Sequence, residues 1–169
     1  MRVRDGVLAL LTRAPAHGYQ LKLEWERLTR NGPVNVGQIY QTLERLQRDG
    51  LVERDEVADD ERRVRYRVTR EGRAEVREFL FDVSDERAGG HSSVAAKVLL
   101  ALSTPRVDPL AVVDVHRAAL LRRVQATRRD VRAHGVTRLD RLALEAELAF
   151  VEAELRWLDL CEAELKGGN

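Results

Sequence analysis

Over the first 50 residues apolar positions recur at helical spacing and stop at glycines and prolines. Residues 3–14 predict a helix with Val7, Leu8 and Leu11 on one side, broken by Pro15-Ala16-His17-Gly18. A second helix, from about Tyr19 to Arg30, repeats Leu21, Trp25 and Leu28 and stops at Asn31-Gly32-Pro33. The third, from Asn35 to Asp49, carries the clearest start signal. Asn35 is its expected cap, and Gln38 stands three residues on, where a capping box would return a bond. Ile39, Leu43 and Leu46 form its apolar stripe, and Asp49-Gly50 closes it.

The period then changes from helical to alternating. Leu51-Val52-Glu53-Arg54 begins a short strand, and Asp59-Asp60-Glu61 makes a polar turn. Arg63-Val64-Arg65-Tyr66-Arg67-Val68 alternates strictly, with Val64, Tyr66 and Val68 expected inward and three arginines outward. Three helices followed by a hairpin is the winged helix-turn-helix order. Thr69 can cap a further helix reaching about Phe81, although Gly72 is expected to weaken its first turn.

Beyond a Gly89-Gly90 stretch the pattern is helical over about 94–103, 109–134 and 138–166. The last segment carries two apolar lines. One is Leu142, Ala146, Ala149, Phe150, Ala153, Trp157 and Cys161; the other is Leu144, Leu148, Val151, Leu155, Leu158 and Leu165. Two lines make a belt wider than one packing partner covers. One side is expected to pack within the chain and the other, the Leu142–Cys161 line, against a second copy. The expected fold is therefore mainly α with a small β-hairpin wing. An N-terminal winged helix-turn-helix occupies 1–82, a linker 83–93, and a helical dimerisation domain 94–169.

Composition adjusts this picture little. The 169 residues carry a formal net charge of only +1, so the total gives no argument for nucleic acid. Distribution does: residues 62–77 hold seven arginines against two glutamates. Cys161 is the only cysteine, which excludes an intrachain disulfide and a thiolate metal cluster, and it reads as a small buried hydrophobe. The apolar stretch Val7–Leu11 is too short for a signal peptide or a membrane span, so a cytoplasmic protein without membrane contact is expected.

Four ordered blocks resemble the PadR family of bacterial regulators: Ala14-Pro15-Ala16-His17-Gly18-Tyr19, Val36 through Leu46, Asp49-Gly50-Leu51-Val52, and Arg65 through Gly72. The C-terminal 80 residues match only in being helical and ending in a long amphipathic helix. The resemblance implies a winged-helix DNA-binding domain, a helical dimerisation domain, and repression relieved by a small-molecule or cellular signal. Two positions depart from the family's habit. Gln38 stands where threonine or serine is common, and the wing tip Asp59-Asp60-Glu61 is acidic where a basic, glycine-rich tip is common. An acidic tip avoids phosphates, which shifts the expected backbone contacts to Arg62, Arg63 and Arg65.

With Ile39, Leu43 and Leu46 inward, helical spacing sets Gln38, Gln41, Thr42 and Arg45 on the outer side. Glutamine suits adenine, arginine suits guanine, and threonine suits a thymine methyl or a phosphate. Tyr40 can pack under the second helix or offer its hydroxyl to a phosphate. Tyr19 resembles the family's His-Gly-Tyr tyrosine, which implies a phosphate contact at a helix start, or else a role in closing the turn. The expected partners are double-stranded operator DNA, a second copy of the chain, and a small apolar or aromatic effector. Trp157 or Phe150 could stack on such an effector, or simply belong to the core.

Other classes fit less well. Histidines at 17, 91, 116 and 134 lack metal-ligand spacing, no glycine-rich phosphate loop occurs, and no serine or cysteine sits in a nucleophile motif. No enzyme activity, metal or cofactor is expected. A helical interaction module of the antirepressor kind, without operator binding, is the alternative that the acidic wing tip keeps open. A MarR-like arrangement expects more helix ahead of the core than the two residues found here.

Overall fold

The computed structural model describes residues 2–29, 33–55, 64–84 and 92–167. The elements run α1 (Val3–Leu10), β1 (Ala16–His17), α2 (Gly18–Thr29), α3 (Val36–Arg48), β2 (Val52–Arg54), β3 (Arg65–Val68), α4 (Arg70–Phe81), α5 (Ser92–Ala101), α6 (Pro109–Val131) and α7 (Arg138–Gly167). The fold is mostly helical with one small antiparallel sheet, in the winged-helix arrangement. The chain divides into two compact units, one of residues 1–82 with 96–108, the other of residues 83–95 with 109–169.

In the first unit α1, α2 and α3 bury the faces their apolar spacing marks out. Val7, Leu8 and Leu11 are buried with Leu21, Trp25, Ile39, Leu43 and Leu46 in one apolar core. α2 packs a side chain directly on α1 at Gly6, where an added Cβ would lie 1.8 Å from the Trp25 ring. The helix stops at Leu10, short of the residue 14 that its pattern suggested. Thr12 turns its hydroxyl back onto the Ala9 carbonyl at 2.6 Å, ending the regular ladder while Leu11 and Thr12 stay buried.

The sheet has the order β1-β3-β2. β2 and β3 pair as the expected hairpin, with Glu53 opposite Arg67 and Arg54 opposite Tyr66. β1 is a strand where the sequence pattern suggested only a helix breaker; its two residues pair with Tyr66 and Arg65. Tyr66 and Val68 are buried as the alternation predicts, but Val64 is 44 % exposed. On the β1 side the next register position after His17 is Gly18, where α2 already begins, so among the described residues no strand residue faces Val64 from that side.

Gly72 has a packing reason that helix propensity hides. A Cβ there would lie 2.2 Å from the Leu51 carbonyl oxygen, so α4 can start against the α3–β2 turn only with glycine at this point. Thr69 caps the same turn, its Oγ1 accepting the Gly72 amide at 3.1 Å.

In the second unit α6 and α7 pack along one another. Val112, Val113, Leu120 and Val124 of α6 are buried, as are Val151 and Leu158 of α7. Ion pairs border that seam: Arg117 to Asp159 at 3.1 Å, Arg123 to Glu147 at 2.8 Å, and Arg128 to Glu152 at 2.9 Å. Gly135, at φ +85, makes the turn between the helices. Among the described residues no helix is long and apolar enough to cross a membrane.

Candidate nucleic-acid interface

α3 is fixed at both ends. Asn35 caps it, its side-chain oxygen accepting the Gly37 amide at 2.8 Å. Among the described residues no bond returns from the Gln38 side chain, so the expected capping box is a single cap and Gln38 is left exposed. At the other end Gly50 takes φ +73, the Leu51 amide bonds the Leu46 carbonyl at 2.9 Å, and the Gly50 amide bonds that of Gln47 at 3.0 Å. This is a Schellman closure.

Glu26, on α2, fixes the approach to α3. Its carboxylate takes the Val34 amide at 2.8 Å and the Lys22 ammonium at 2.7 Å. Those two donors, Lys22 foremost, hold the Glu26 carboxyl below the ordinary carboxylate range. In the sequence Glu26 reads as one more charge on a solvated helix face, so the pattern gave no sign of this role.

With α3 held in this way, its two sides separate cleanly. Ile39, Leu43 and Leu46 are fully buried, whereas Gln38, Gln41 and Arg45 are exposed and have no side-chain partner among the described residues. Thr42 is half-buried on the same side, its hydroxyl donating to the Gln38 carbonyl at 2.7 Å. Its proton is thereby engaged, and the methyl and the oxygen lone pairs remain for a ligand. Spacing of three, four and seven residues puts these four side chains on one stripe about two helical turns long.

Tyr40 packs at the start of α2 and keeps part of its surface exposed. Its ring lies against Gly18, where a Cβ would come within 2.7 Å of it, yet the residue stays 41 % exposed. Tyr19, next to Gly18 in the first turn of α2, is 58 % exposed. Two phenols with exposed surface thus come from the adjoining starts of α2 and α3. The α2 start is itself tied, since the His17 amide donates to Gln20 Oε1 at 3.0 Å.

Residues 7–78 match the family model described as the transcriptional regulator PadR-like family. Over that span, which is less than half of the chain, the sequence is similar to the PadR-like family, and the matched segment has the winged-helix arrangement. Among curated proteins the chain has no significant match. Similar solved structures include PadR of Bacillus subtilis in complex with operator DNA, at 17% identity and TM-score 0.42, covering 96% of this chain and 98% of that one. The PadR-like transcriptional regulator BC1756 of Bacillus cereus is 20% identical at TM-score 0.40, covering 98% and 96%. B. subtilis PadR in complex with p-coumaric acid is 19% identical at TM-score 0.39, covering 97% and 95%.

The wing of this domain changes the electrostatic picture. Arg63, Arg65 and Arg67, at alternate positions, are expected to face outward together. Arg67 pairs across the hairpin with Glu53 at 3.0 Å, and Arg65 donates to the Pro15 carbonyl at 3.0 Å. Arg65 thereby ties β3 to the α1–α2 connection, a contact 50 residues apart in sequence. Arg62, Arg63 and the acidic tip at 59–61 lie outside the described residues.

On α7 the two apolar lines part as their spacing suggested. Val151 and Leu158 are buried, and Leu144, Leu148, Leu155 and Leu165 half-buried, on the packed line. On the other, Leu142 is 61 % and Phe150 52 % exposed, Ala146, Ala149 and Ala153 are exposed, and Trp157 and Cys161 are half-buried. Burial pushes the Cys161 thiol pKa up, which makes it less reactive rather than more.

Proposed function

We propose that the chain is a dimeric, sequence-specific DNA-binding repressor whose hold on its operator is released by a small-molecule or cellular signal. The observation that carries this reading is the outer side of α3. Gln38, Gln41 and Arg45 stand exposed and, among the described residues, without a side-chain partner, opposite a fully buried stripe, on a helix capped at both ends, inside the segment matching a regulator family. In the major groove Arg45 suits guanine and Gln41 suits adenine, with the Thr42 methyl near a thymine. Tyr19 and Tyr40 supply hydroxyls for phosphates at the helix starts, and Arg62, Arg63 and Arg65 attend to the backbone along the wing. Arg65 can do so with the donors that Pro15 does not take, since a guanidinium has five.

The Leu142–Cys161 line of α7 supports the dimer, because a row of exposed Leu, Ala and Phe on a 30-residue helix is costly to leave in water. Dimerisation doubles the contact with DNA and matches a site of dyad symmetry. An apolar or aromatic effector would then bind near this seam, against Phe150 or Trp157.

The test is a gel-shift titration against the gene's own upstream region, at two salt concentrations and with a scrambled competitor. Saturable binding that resists the competitor and weakens with salt is expected. Equal binding to both DNAs would reduce the protein to a non-specific binder, and no binding at all would favour the interaction-module alternative.

A further inference from the structure

Away from α3, the winged-helix unit holds a second concentration of positive charge. A cleft of about 570 Å³ is lined by Arg13, Arg73, Arg77 and Arg106, together with Thr12, Ala74 and the 104–107 turn. The four arginines come from three distant segments: the end of α1, α4, and the turn after α5. Among the described residues no carboxylate lines the cleft.

Their internal bonds leave most of this charge unanswered. Arg13 reaches Glu24 at 3.3 Å, and that is the only ion pair any of the four makes among the described residues. Arg73 gives one nitrogen to the Thr12 carbonyl at 3.0 Å, which fixes the guanidinium and leaves its other donors. Arg77 lies 6.0 Å over the Phe81 ring, a contact that holds its plane without using its N–H groups.

Arg106 gives the clearest sign. Pro105 and Arg106 are the middle residues of a turn closed by the Val107 amide on the Thr104 carbonyl at 3.3 Å, and Arg106 takes φ +64. A turn with proline second and a positive φ third is where glycine is favoured. An arginine there lowers stability and brings a fourth like charge to the cleft. Both costs are offset when an anion binds.

We propose that this cleft binds a small phosphorylated molecule, as a ligand site separate from the α3 surface. Planar guanidinium forks match phosphate oxygens in pairs, and four of them suit a ligand with more than one negative charge. The volume is that of an ordinary small-molecule site.

Titration calorimetry of the full chain with sodium pyrophosphate, at constant ionic strength set by chloride, tests this. Saturable binding with a Kd of about 1 mM or tighter is expected. Arg77→Gln combined with Arg106→Gly should weaken it at least about tenfold. Arg106→Gly alone should also raise Tm, because glycine accepts the positive φ, so that loss of binding cannot be put down to loss of fold. Absence of saturable heat, or undiminished binding by the double variant, would overturn the proposal. So would a double variant that binds the upstream DNA less tightly while pyrophosphate fails to bind the parent chain. That result would make the cleft a contact for the DNA backbone.

Discussion

Gly72 and Glu26 show how much a single residue of this domain can carry without touching a ligand. Gly72 lets α4 start against the Leu51 carbonyl, and an added methyl meets backbone, which cannot swing away. Gly72→Ala is therefore expected to destabilise the protein by about 1–3 kcal/mol in urea unfolding, although alanine is the better helix former. Glu26 acts through charge. Its folded pKa lies below the unfolded value, so its contribution is complete above the unfolded pKa of about 4 and fades as pH falls through the lower folded one. Glu26→Gln should lower Tm at neutral pH, and the gap to the parent chain should close in melts taken below about pH 4. Neither role could be read from the sequence. Gly72 looked like a weak point because propensity ignores the neighbour 21 positions away in sequence, and Glu26 looked solvated because its partner, the Val34 amide, lies in the next turn.

Elements with a sustained period were the legible ones. α3 follows its Ile39, Leu43 and Leu46 stripe, and the start and stop signals around it hold within a residue. α7 shows its two lines because 30 residues give the spacing room to repeat. Two-residue β1 has no period to display, and its pairing with β3 depends on residues about 50 positions apart. The same distance hides the Arg65–Pro15 bond, which makes the wing arginines partly structural. Arg65→Ala should accordingly lower stability by about 1 kcal/mol, as well as weakening all DNA sequences alike and flattening the salt dependence. Stability unchanged in urea, with DNA affinity reduced, would mean that the bond to Pro15 contributes nothing in solution.

At the scale of the whole molecule the proposed function joins two surfaces, α3 for DNA and the outer line of α7 for a second copy. The net charge of +1 gives no hint of either, since carboxylates elsewhere cancel the basic groups. Charge introduced into the α7 line, as Leu142→Asp with Phe150→Asp, should shift the protein from dimer to monomer in sedimentation and weaken operator binding with it. A dimer that survives both charges would place the seam elsewhere. The most direct measurement is a footprint of the parent chain and Arg45→Ala on the gene's upstream region and on single-base variants of the protected site. The predicted result is two protected half-sites about one helical turn apart. Arg45→Ala should cost about 1–3 kcal/mol and lose discrimination at one base pair in each half. Unchanged base preference in Arg45→Ala would contradict the assignment of α3 as the reading helix.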